Sequence, residues 1–225
     1  MARKDEREEL LRIIHEYSLN PNTREIYLNG NLEDINKESS EIDYRTYATF
    51  IKNLNFLVSQ NKTAPIIIHL STIGGDCGAG ISIFDAISTC PCYIYIIVHG
   101  EAYSIGSLIL QAADTRIMMP NAYCMVHEGS IEIPSSTNKV ANSTIAWSKS
   151  ITSFMLNVYS QKCVNGAFFK DNGKGEKEIK KFIQNKIDKK EDWFLTAEEA
   201  VHYGLADEII GENYKYKNIS QLPSN

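Results

Sequence analysis

At 225 residues the chain is long enough for one large domain, or one domain with an appendage. Its 43% hydrophobic content provides for a buried core, and its net charge of −5 gives no electrostatic footprint for nucleic acid. No apolar run is long enough to span a membrane, and five cysteines at irregular spacing make no disulfide framework, which suits a reducing cytoplasm.

The opening stretch, MARKDEREELLRIIHEYS, lacks the apolar core of a secretion signal. Glu6 to Tyr17 reads as an amphipathic helix with Leu10, Ile13, Ile14 and Tyr17 on one face, stopped by Asn20-Pro21-Asn22. Glu25 to Leu28 is a short strand ending at Asn29-Gly30. Ile42 to Gln60 is helical, with Tyr47, Phe50, Ile51, Leu54 and Leu57 at core spacing. Pro65 to Leu70 and Tyr93 to Val98 are continuous apolar runs, the pattern of strands buried on both faces. Between them lie the turn GGDCGAG and a helix from about Ala79 to Ser88. A helix beginning near Ser104 and ending near Asp114 follows, then strands at Arg116 to Met119 and Ala122 to Val126.

Beyond His127 the texture changes. Glu128 to Asn138 is polar and reads as an extended loop. Val140 to Cys163 is a long amphipathic helix, with Ile145, Ile151, Phe154, Met155 and Val158 along one side. Glu176 to Lys186 is a shorter helix whose lysines, interleaved with Glu and Asp, form a solvated face. Thr196 and Glu199 make a capping box for a helix that Gly204 closes, and Ala206 to Ile210 is a last strand. Continuous apolar strands alternating with helices predict an α/β fold with a mostly parallel sheet covered by helices.

Chemistry in such sheets sits beyond the carboxyl ends of the strands. Gly74-Gly75, Ser104 and His127 all fall just after a strand. A serine hydroxyl needs a base, an orienter for that base, and donors for the oxyanion. Ser104 opens a helix, where the N–H of Ile105 is free to meet an oxyanion. The double glycine lets backbone approach a carbonyl closely. Singly, each feature has a plainer explanation: Ser104 as a helix cap, His127 as a structural residue. GGDCGAG lacks the Gly-Lys-Ser/Thr ending of a phosphate loop. Ala102 excludes the hydrolase elbow, which needs glycine there. Cys90-Pro91-Cys92 is too tightly spaced for a zinc pair and has no second pair.

Together, in this order, the segments REIYLNGNL, IIIHLSTIGGDCGAGISIFDAI, GEAYSIGSLIL, RIMMPNAYCMVHEGS and IDKKEDWFLTAEEAVHYGLADEII resemble the Clp protease proteolytic subunit family, serine peptidases of the Clp/crotonase fold. The resemblance runs from about Arg24 to Ile210. It implies ββα-type units with an extended handle helix. It puts the nucleophile on Ser104, the general base on His127 and the acid on Asp188, with Glu191 and Asp192 close by. It puts the oxyanion donors on the backbone N–H groups of Gly75 and Ile105. Ile73 replaces the family's proline before the double glycine, and Ile105 its methionine after the serine. The N-terminal helix has no counterpart to the family's axial loop.

The resemblance further implies a head domain (23–127 plus 187–212), a handle region (128–186), an N-terminal helical extension (1–22) and a C-terminal tail (213–225). It implies a cytoplasmic serine endopeptidase, using no metal or other cofactor, that assembles into rings, commonly heptameric and stacked in pairs. Peptide or unfolded protein would be the substrate and an AAA+ unfoldase a partner; neither nucleic acid nor membrane is expected as one. Alternatives within or near the fold are a phage capsid-maturation protease (then in the host cytoplasm), a non-catalytic ring subunit, and a crotonase-type acyl-CoA enzyme.

Overall fold

Side chains alternate along a strand, so a strand that is apolar at every position needs cover on both faces. The computed structural model describes residues 2–29, 41–130, 137–211 and 213–222. It opens with α1 (Ala2–Tyr17), β1 (Leu19–Asn20), β2 (Glu25–Leu28) and β3 (Glu41–Ile42). Next come α2 (Tyr44–Gln60), β4 (Ile66–Thr72), β5 (Gly74–Gly75), α3 (Cys77–Ser88), β6 (Ile94–Tyr103) and α4 (Ile105–Leu110). The chain continues through β7 (Thr115–Met118), β8 (Tyr123–Val126), α5 (Asn138–Cys163), α6 (Ala167–Asp171) and α7 (Glu176–Lys190). It ends with β9 (Trp193–Thr196), α8 (Ala197–Tyr203), β10 (Glu208–Ile209) and a 3-10 turn at Ile219–Gln221.

The main sheet has the order β1-β2-β4-β6-β7-β10, with β8 branching from β6 and β9 pairing β8. Its pairings are parallel except at β1–β2 and β8–β9. This is the mostly parallel α/β sheet that the apolar runs predicted. Ile66, Ile68, Leu70, Ile94, Ile96 and Val98 face the main core beneath the helices. Ile67, Tyr95, Ile97 and Ile117 point the other way, and Ile210, Tyr216 and Leu222 cover them. Part of the stretch read as a C-terminal tail is therefore packed on the sheet's second face.

Several boundaries differ from the sequence reading for local reasons. β6 runs on to Tyr103 because its second half finds a new partner: residues 95–98 pair with β7, and residues 101–103 with β8. This fork opens the edge on which the candidate site sits. α4 stops at Leu110, not Asp114, because Asp114 is tied to the start of β6, accepting from the Ile94 N–H at 2.7 Å and donating to its carbonyl. α3 starts earlier than Ala79, at Cys77, because Asp76 caps it by accepting from the Ala79 N–H. The Asn29-Gly30 turn falls at its second residue, and the loop after Glu128 in residues 131–136, outside the described residues.

Two features shape the periphery. Arg24 is buried, and its guanidinium donates to the carbonyls of Leu57, Asn61, Ala64 and Pro65, closing the C-terminal end of α2. Helix α5 is two-sided along its length: Thr152, Met155, Leu156, Val158, Tyr159, Ser160 and Cys163 are buried. From Asn138 to Ile151 nothing is buried, and Val140 and Trp147 stand exposed.

Candidate active site

The backbone at Ser104 is unusual before any partner is considered. It has φ 54° and ψ −125°, a region that a residue with a side chain rarely occupies and that costs about 1–3 kcal/mol. Its N–H still donates to the Met125 carbonyl, continuing the β6–β8 ladder at 2.9 Å. Its side chain makes no cap for α4. The plain reading of Ser104 as a helix cap therefore fails, and the hydroxyl is directed elsewhere.

Its partner is His127. The imidazole Nε2 lies 2.7 Å from Ser104 Oγ, and Nδ1 lies 3.0 Å from Asp192 Oδ1. Strand pairing produces this alignment. β8 and β9 are antiparallel with Val126 opposite Trp193, so the next residues outward, His127 and Asp192, meet at the end of the ladder. The carboxylate can only accept, so Nδ1–H donates to it and Nε2 is left to accept from the serine hydroxyl. His127 is half-buried, and its side chain borders an open cleft of about 490 Å³ shared with Glu128, Asp188, Glu191 and Asp192.

Asp188, the expected acid, is not on the histidine. Helix α7 does not end at Lys186 but runs to Lys190. That holds Asp188 in its last turn, where its Oδ1 accepts from Gln184 Nε2 at 2.8 Å. Glu191, with φ 57°, breaks the helix, and Asp192 leads into β9. The carboxylate that reaches His127 is Asp192, four residues beyond Asp188, and Asp188 lies on the cleft's wall.

The glycine turn presses on Ser104. Gly74 has φ +109°, and a Cβ there would lie 2.6 Å from Ser104 Cβ, so no other residue fits. β5 pairs with β3 through the Asp76 N–H, which donates to the Ile42 carbonyl, leaving the Gly75 N–H on the opposite edge. The Ile105 N–H belongs to the first residue of α4, where no intrahelical acceptor is available. Behind α4 a buried polar network follows. Ser107 Oγ bonds the Ser104 carbonyl and the Tyr159 hydroxyl. Gln111 Nε2 donates to the Ser107 and Leu205 carbonyls. Arg116 donates to Gln111 Oε1 and the Gly204 carbonyl, and pairs with Asp207. Among the described residues, no group of three or more His, Cys, Asp or Glu could hold a metal ion, and no helix is long and apolar enough to cross a membrane.

The Clp protease family model matches residues 31–213. The chain belongs to the Clp protease family. The ATP-dependent Clp protease proteolytic subunit 2 of Treponema denticola is 32% identical over 205 residues, covering 90% of this chain and 86% of its own. The protein of the same description from Chlamydia trachomatis is 28% identical over 177 residues, covering 76% of this chain and 78% of its own. Kinship is thus with the proteolytic subunits of the Clp family. The sequence reading overlooked the polar residues that support the site in this Clp-family chain: Ser107, Gln111, Arg116, Tyr159 and Asp207. Their signal was weak but present, because Ser107 and Gln111 lie four apart on the face of an apolar helix where a polar residue needs a partner.

Proposed function

We propose that this chain is a serine endopeptidase in which Ser104 is the nucleophile, His127 the general base and Asp192 the residue that orients the imidazole. One observation carries the reading: an unbroken hydrogen-bonded line from Asp192 through His127 to a serine hydroxyl freed from capping by its own backbone twist. As Ser104 Oγ attacks the substrate carbonyl carbon, its proton passes to His127 Nε2. The carbonyl oxygen becomes an oxyanion met by the N–H groups of Gly75 and Ile105. Asp192 stabilises the imidazolium, which then gives its proton to the leaving amine as the peptide C–N bond breaks. Water, deprotonated by His127, attacks the acyl-enzyme, and the proton returns to Ser104 Oγ as the acid product leaves.

The half of α5 from Asn138 to Ile151, unburied in one subunit and carrying exposed Val140 and Trp147, supports the handle role and the assembly into rings. Enclosure in such a chamber would make access, rather than the site, the selective step. Partnership with an ATP-driven unfoldase, in a cytoplasm, is the role that kinship with the ATP-dependent subunits supports. Hydrolysis of a small fluorogenic peptide, with Ser104→Ala as control and particle mass measured alongside, tests the reading. Activity abolished in Ser104→Ala, in a particle several times the mass of the chain, is the expected result. Hydrolysis that persists in Ser104→Ala ends it.

A further inference from the structure

We propose that Tyr159 and Ser107 are positioning residues: a two-hydroxyl relay from α5 that fixes the peptide unit carrying the Ile105 oxyanion donor. The inference rests on the peptidase reading above and deepens it. Ser107 stands one turn beyond Ser104 in α4 and is 0% exposed; Tyr159 reaches across from α5 and is 1% exposed. Ser107 Oγ lies 2.7 Å from the Ser104 carbonyl oxygen and 2.7 Å from the Tyr159 hydroxyl. A carbonyl only accepts, so the single Ser107 hydroxyl proton goes to Ser104 O. Tyr159 must then be the donor to Ser107 Oγ. Burial pushes the Tyr159 phenol well above its ordinary pKa, so it keeps the proton it donates.

The Ser107 N–H also reaches the Ser104 carbonyl, at 3.0 Å. That oxygen is therefore held by two donors, one of them backed by Tyr159. The Ser104 carbonyl and the Ile105 N–H are opposite ends of one planar peptide unit, so fixing the first aims the second. The need for fixing is evident in the φ 54°, ψ −125° of Ser104, a conformation that relaxes unless its surroundings over-determine it. Donors on a carbonyl also polarise its amide, making the N–H at the far end a better donor to developing negative charge.

Tyr159→Phe, Ser107→Ala and the double variant, assayed as full-length protein, test the relay against a purely structural role. In Tyr159→Phe, kcat on a fluorogenic peptide is expected to fall about tenfold with KM nearly unchanged, because the aim of a transition-state donor is lost and not ground-state binding. Labelling by a fluorophosphonate should slow by a similar factor, while the pH profile keeps its shape. The double variant should be no slower than Ser107→Ala, since the line is already cut there. A Tyr159→Phe protein that melts earlier but keeps wild-type kcat overturns the relay, and so do losses that multiply in the double variant. If Ser107→Ala does not fold, the kcat against KM split in Tyr159→Phe decides alone. Ser104→Ala separates the two proposals. Hydrolysis surviving in Ser104→Ala removes the peptidase reading itself, whereas an inactive Ser104→Ala beside a full-speed Tyr159→Phe removes only the relay.

Discussion

Replacing Asp192 by Asn changes one oxygen for an NH₂ and leaves the shape alone, so its effect isolates the role of the carboxylate. Asp192 Oδ1 sits 3.0 Å from His127 Nδ1 and requires the proton to be there. An amide can instead turn its NH₂ toward Nδ1, which moves the ring proton to Nε2 and faces Ser104 Oγ, 2.7 Å away, with a group that cannot accept. In a well-buried triad this exchange costs about 10⁴ in kcat. Here the Asp192 side chain is 50% exposed and that of His127 24%, so water dilutes the carboxylate's field and can share the ring N–H. A loss of about 10²–10⁴ is therefore expected, equivalent to about 3–5 kcal/mol of transition-state stabilisation. Asp188→Asn, four residues earlier and bonded to Gln184, should stay within about twofold of wild type, since it only edits an exposed side-chain contact. Steady-state hydrolysis of one fluorogenic peptide by both variants, with melting temperatures to verify folding, provides the comparison. A crippled Asp188→Asn beside an active Asp192→Asn would refute the assignment and the strand register on which it depends.

Gly74→Ala should lower kcat/KM by at least about tenfold, because a Cβ 2.6 Å from Ser104 Cβ at φ +109° must displace Ser104 or the turn; an alanine variant of full activity would count against this packing. Arg116→Met should cost about 2–3 kcal/mol in urea unfolding, because it strips the buried Gln111 Oε1 and the Gly204 carbonyl of their guanidinium donor, while the half-exposed Asp207 keeps the backbone N–H of residue 116; a shift under about 1 kcal/mol would show that the network is dispensable. His69 and His99 share one hydrogen bond of 2.9 Å beside Tyr27 and Glu25. Burial, and then the neighbouring His99, hold His69 down to about 4, and burial also lowers His99. The unfolded chain therefore takes up protons first: this contribution is whole above the ordinary 6.5 and drains away as pH falls toward 4. The urea midpoint should drop between pH 7 and pH 5 and should drop less in His69→Phe; equal slopes in the two proteins would refute the assignment.

The fold was legible because its central strands carry an unambiguous signal. Apolar residues throughout 66–70, save His69, and at every position of 94–98 pointed to strands covered on both sides, and the second face is indeed covered, by Tyr216 and Leu222. What escaped was short or conditional. β1, β3 and β5 are two residues each and exist only because a partner strand lies alongside. The extension of β6 to Tyr103 carries Gly100 and Glu101, which weaken any local strand signal; pairing with β8 supplies what propensity does not. Nothing local marks Arg24 for burial; the end of α2 and the segment after it supply the four carbonyls that make its burial tolerable.

The carboxylate that meets His127 was harder to read, and the reason lies in period. Asp188, Glu191 and Asp192 fall within one short stretch, so composition cannot rank them. Two periodicities can. Ile179, Ile183 and Ile187 recur every four residues and are all buried, which carries a helix through Ile187 and makes Asp188 a member of its last turn, off the apolar stripe. Trp193 and Leu195 are buried while Phe194 is exposed, which is the two-residue period of a strand. The helix-to-strand change must therefore lie between Lys190 and Trp193. An acid on the helix is directed by its own turn, whereas one at the mouth of the strand is directed by whatever strand lies beside it. Because β9 lies beside β8 with Val126 opposite Trp193, that neighbour is the one ending in His127. Without the pairing, the same Asp192 would be an exposed carboxylate in a lysine-rich segment, and no inspection of the residue itself could have distinguished it.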